Sequence, residues 1–160
     1  MRKPLAALAA LALLAGCGST PNTPVDPLQE AFGAAFDVLT VYAAQGDIAQ
    51  QGVDMLDALT TYSGEACAVL VDPALTPEER AFLLQTELAP ERQAFDAALA
   101  DLADIGGVNP AVYVLVNRAR SIARQYAVAD GVNAVRWERP CDLAIAFAKQ
   151  WAERRLVVVG

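Results

Sequence analysis

The stretch DPLQEAFGAAFDVLTVYA, residues 26–43, carries both a helix start and a helix face. Asp26 offers a capping carboxylate. Pro27 follows it at the first helical position, where its fixed φ is already suitable and its missing N–H removes no hydrogen bond. Gln29 completes the spacing of a capping box. Leu28, Phe32, Phe36, Leu39 and Tyr42 then recur every three or four residues, the period of one side of an α-helix.

The same punctuation recurs along the chain. Thr76-Pro77, with Glu79 three residues after the Thr, and Asn109-Pro110 predict two further helix starts. Asp47 before Ile48 and Arg139-Pro140 before Cys141 are weaker ones. Apolar stripes follow each. Ile48, Met55, Leu56, Leu59 and Tyr62 predict a helix ended by Asp72-Pro73. Leu84, Leu88, Phe95, Leu99 and Leu102 stay in phase across Pro90 and predict one long kinked helix stopped at Gly106-Gly107. Val112, Leu115, Val116, Ile122 and Tyr126 mark a fourth helix ending before Gly131, and Leu143, Phe147 and Trp151 a fifth. Leu156-Val157-Val158-Val159 interrupts the pattern with β-branched residues, and reads as a frayed turn, a packed tail or an exposed sticky end. Of the 160 residues 55% are apolar and only 7% aromatic, with Ala the commonest, a mixture that suits helices and not a β-sandwich. Short links between long helices favour antiparallel neighbours. The expected fold is all-α, an up-and-down bundle of four to five helices over residues 26–160.

Ahead of this domain, Arg2 and Lys3 precede an apolar run from Leu5 to Ala15, too short to span a bilayer and of the length of a secretory signal's hydrophobic region. The run ends in Leu14-Ala15-Gly16-Cys17, which resembles the lipobox of bacterial lipoprotein precursors. That resemblance implies that residues 1–16 form a signal peptide, that cleavage follows Gly16, and that Cys17 is lipidated and becomes the first residue of the mature chain. Acylation at both its sulfur and its new amino group would give a stable anchor, since one acyl chain holds a protein only marginally. Gly18 and Ser19, with no Asp at the second position, resemble outer-membrane sorting in bacteria with two membranes. Residues 17–25, with two Pro and no periodicity, read as the lipidated Cys and a flexible tether.

With Cys17 lipidated, Cys67 and Cys141 are left, and in an exported chain two leftover thiols most economically form a disulfide. Charge is unevenly placed. Residues 17–104 hold 15 acidic side chains against Arg80 and Arg92, whereas residues 105–160 hold four against eight basic ones. Two readings stand: complementary pairing inside the bundle, or a charged face for a partner. The net charge of -7 excludes nucleic acid as a natural partner, because phosphate binding needs a basic footprint.

Residues suited to catalysis are sparse. The chain has no His, which removes His-dependent triads and His-bearing metal sites. Asp54 with Asp57, Asp101 with Asp104, and Glu87 with Glu91 have spacings that share helix faces, yet nothing matches a calcium loop. Ser121 and Lys149 form a dyad only if the fold brings them together. Arg118, Arg120 and Arg124 offer a clamp for an anion, with Arg118 and Arg120 on different faces. Trp137 and Trp151 suit either a core or a binding surface. The reading assigns no catalytic residue, cofactor or metal. It points to a membrane-anchored envelope lipoprotein that is not an enzyme and that docks another envelope protein. The combination of lipobox and disulfide-braced helices resembles the pilotins, small secretin-assembly lipoproteins, in architecture and in no motif. The alternative is a carrier of an apolar small molecule, because Ala-lined bundles can keep an interior cavity.

Overall fold

The computed structural model describes residues 25–105, 109–129 and 133–159. The expected signal peptide, Cys17 and all of the expected tether but Val25 lie outside the described residues, as do Gly106-Gly107 and Gly131. The described residues form six α-helices and no strand. These are α1 (Pro27–Ala43), α2 (Gln50–Leu70), α3 (Pro77–Phe82), α4 (Ala89–Ala103), α5 (Pro110–Ala129) and α6 (Ala134–Val159), with a π-helical turn over Leu83–Glu87 between α3 and α4.

The expectation of four to five helices is corrected to six, and Pro90 is the physical reason. An uninterrupted α-helix would press the Pro90 ring against the Thr86 carbonyl and leave that carbonyl without its donor. The chain widens instead: the Leu88 N–H reaches back five residues to the Leu83 carbonyl at 3.0 Å, and α4 restarts with Pro90 in its first turn. Arg92 Nη1 folds back onto the Leu84 carbonyl at 3.3 Å. Of the stripe expected across this break, Leu84, Phe95, Leu99 and Leu102 are buried and Leu88, at the break itself, is partly so.

Three Pro-marked starts are capped as expected. The Asp26 carboxylate accepts from the Leu28 amide at 3.0 Å, although no return bond from Gln29 completes a box. Thr76 and Glu79 do form one, at 3.2 and 2.7 Å, and Asn109 accepts from the Ala111 amide at 3.0 Å. Two starts differ from expectation. Helix α2 begins at Gln50 with no side-chain cap, not at Asp47. Helix α6 begins six residues before Pro140, capped by Asn133, whose side chain accepts from the Val135 amide at 3.1 Å; Pro140 is buried inside it. The earlier start turns Trp137, Cys141, Ala144, Phe147 and Trp151 inward and leaves Leu143 at the surface. The end of the chain continues α6 through Val159, with Leu156 and Val157 77% and 81% exposed.

Packing is not sequential. Helix α1 lies chiefly against α5 and α6, and α2 against α4 and α6, so α6 stands between the two helices that the short link 44–49 joins. Four pairings show that α1 and α6 run parallel. Asp26 meets Arg136, Phe32 meets Trp137, Phe36 meets Phe147, and the Ala43 carbonyl accepts from Arg154. Helix α2 runs antiparallel to α6, since Asp57 meets Trp151 and Arg155 while Cys67 is bonded to Cys141. That disulfide spans 74 residues of sequence with its Cα atoms 5.5 Å apart. Helices α4 and α5 touch least among these neighbours, and there the bundle opens.

Candidate functional site

At that opening lies a cleft-like cavity of about 600 Å³, lined by all the long helices and the π turn. Its size follows from its residues. Ala119, Ala123 and Ala127 recur every four residues on α5 and face Ala35 of α1 and Ala66 of α2, so facing positions carry methyl groups where a filled core would interleave larger side chains. Aromatic rings form the rest of the wall. Phe32 sits edge-on to Trp137 with centroids 6.0 Å apart, and Tyr62 stacks on Phe95 at 6.1 Å. Leu39, Leu59 and Leu84 complete the apolar lining.

Polar side chains gather at the mouth, from α4, α5 and the π turn. Gln85, Gln93 and Arg124 are exposed there, with Arg92, Asp96 and Arg120 half-buried beside them. Asp96 is held from the other side of the cleft: Oδ1 accepts from Arg120 at 2.7 Å and Oδ2 from Arg124. Arg120 Nε is buried and has no hydrogen-bond partner. Burial pushes the Tyr62 phenol above its usual range, with Asp96 adding to the rise and Arg92 and Arg124 opposing it.

A second hollow, about 630 Å³ and more open, lies between the link 44–48 and the end of α6. Trp151 on its wall donates to Asp57 at 2.7 Å, and Arg155 donates to the same carboxylate at 3.2 Å. Close by, Tyr42 approaches α2 so nearly that a Cβ on Gly52 would stand 2.0 Å from its hydroxyl oxygen. Burial raises the Tyr42 phenol as well.

The structure separates most of the candidate groups read from the sequence. Asp54 accepts from Gln50, whereas Asp57 belongs to the Trp151 cluster. Ser121 and Lys149 are both exposed and share no hydrogen bond. Among the described residues, no three Cys, Asp or Glu side chains are grouped to hold a metal ion. Arg118 is exposed on the outside of α5, while Arg120 and Arg124 reach the cavity mouth. The uneven charge has an internal use. Arg120 and Arg124 with Asp96, Arg136 with Asp26, and Arg155 with Asp57 each join the basic half to the acidic half. Trp137 is buried with one side on the cavity wall, and Trp151 is buried beside Asp57. Arg92, Tyr62 and the alanine row of α5 were missed as site residues; the Ala spacing of four over Ala119, Ala123 and Ala127 was the available signal.

No protein-family model matches the chain, and no curated protein or solved structure does. Among the described residues no helix is long and apolar enough to cross a membrane.

Proposed function

We propose that this chain is a lipid-tethered envelope protein that carries an apolar small molecule inside its helical bundle. One observation carries the reading: a largely apolar cavity of about 600 Å³, within the roughly 300–1,000 Å³ usual for small-molecule sites. A cavity this large costs stability when empty, because its walls lose the dispersion contacts of a close-packed core. A resident molecule would restore those contacts. The tether rests on the lipobox at Leu14-Ala15-Gly16-Cys17, which would hold the carrier beside a bilayer from which apolar cargo can be drawn. Docking of another envelope protein is the weaker reading, since part of the charge asymmetry that suggested it is taken up by ion pairs within the bundle.

Native mass spectrometry of the full chain released gently from membranes tests the cargo. A bound small molecule is expected, with lower occupancy when Ala119→Leu narrows the cavity. A protein free of adducts that also takes up no apolar dye would refute the carrier reading. Incorporation of labelled palmitate, lost in Cys17→Ser, tests the tether separately.

A further inference from the structure

The charges around the cavity mouth bear on what kind of molecule enters. In a chain of net charge -7, the charged side chains on this lining are three guanidinium groups, Arg92, Arg120 and Arg124, against one carboxylate, Asp96. Asp96 spends one oxygen on Arg120 and the other on Arg124. Arg92 has only the Leu84 carbonyl, and Arg120 Nε has no acceptor although it is buried. The charged side chains of the lining therefore sum to +2 beside an apolar chamber, with Arg120 and Arg124 sharing one carboxylate and Arg92 bonded to a backbone carbonyl. A purely apolar ligand would make no use of this positive mouth. A molecule with an apolar tail and an anionic head would satisfy both regions, placing its tail among the alanines and aromatic rings and its head against the arginines. Guanidinium groups suit that head, since their fixed fork matches the oxygens of a carboxylate or a phosphate.

Building on the carrier reading, we propose that the ligand is an anionic amphiphile, its tail in the cavity and its carboxylate or phosphate head bound by Arg92, Arg120 and Arg124 in the cleft between α4 and α5. Asp96 competes with the head for the same guanidinium groups. It serves as a stand-in anion when the cavity is empty, keeping Arg120 and Arg124 at the mouth.

The test uses the full chain and three fluorescent probes that share one long alkyl tail and end in a carboxylate, a phosphate monoester or a neutral alcohol. An anionic probe is expected to bind on the order of tenfold more tightly than the alcohol, the size of one or two charge-assisted hydrogen bonds, and the two anionic probes identify the preferred head. Arg92→Gln and Arg124→Gln should each reduce that preference, weakening the anionic probes more than the alcohol. Asp96→Asn should increase it, an effect that damage to packing would not produce. Equal binding of all three probes, or a preference unmoved by these variants in protein with unchanged circular dichroism, overturns the anionic head and leaves the carrier reading standing. Binding of none of the probes overturns both.

Discussion

Replacing Ala119 with Leu tests the cavity most directly. Ala119 is buried on α5, and its methyl group faces the empty space. A leucine adds about three methylene-sized groups, and burial at about 0.8 kcal/mol each gives roughly 2.4 kcal/mol. Loss of rotamer freedom removes about 0.5–1 kcal/mol, leaving a gain of roughly 1.5–2 kcal/mol. For a domain of this size that raises Tm by on the order of 6 °C. Ala144 on α6 is the control, being equally buried but not on the cavity wall. There the same substitution overpacks the core and should cost about 1–3 kcal/mol. Urea unfolding of both variants reads the difference in midpoint at constant slope, and uptake of an apolar dye should weaken in Ala119→Leu alone. If both substitutions destabilise to the same extent, α5 has no space beside it and the argument for a carrier collapses.

Three further outcomes follow from the fold. Reducing the Cys67–Cys141 bond, which closes a 74-residue separation, should lower stability by about 4 kcal/mol in the chain-entropy account, and a shift below about 1 kcal/mol in denaturant unfolding would contradict it. Gly52→Ala should destabilise by about 1–3 kcal/mol, because its Cβ meets the Tyr42 hydroxyl at 2.0 Å and Ile48 Cγ2 at 2.8 Å; Gly64→Ala on the same helix, with open space around it, should instead add about 0.5–1 kcal/mol. Burial raises Tyr42 and Tyr62 above their unfolded value of 10.0, so at alkaline pH the unfolded chain loses these protons first. The contribution of these tyrosines should be constant below about pH 9, and stability should fall as pH climbs past 10, with a shallower fall in Tyr62→Phe when Tm is followed from about pH 8 to about 11.

Much of the secondary structure was legible because its causes are local. A capping side chain followed by Pro, as at Asp26, Thr76 and Asn109, acts within one turn, and stripes such as Leu28 to Tyr42 need only the helical period. The disulfide was legible by elimination once Cys17 was set aside. Where local signals were ambiguous, packing chose. Asn133 rather than Arg139 opens α6, because starting there turns Trp137 into the core beside Phe32 and lets Arg136 reach Asp26. The π turn arises from a clash that Pro90 announces, but the widened turn that relieves it is selected by where Leu84 and Phe95 must both be buried. The cavity belongs wholly to the tertiary structure. Each alanine of α5 is an ordinary helix former by itself, and only the non-sequential order of helices, with α6 inserted between α1 and α2, sets that row opposite the small residues of two other helices. A void is a property of facing surfaces, and no single segment of the chain encodes which surface it will face.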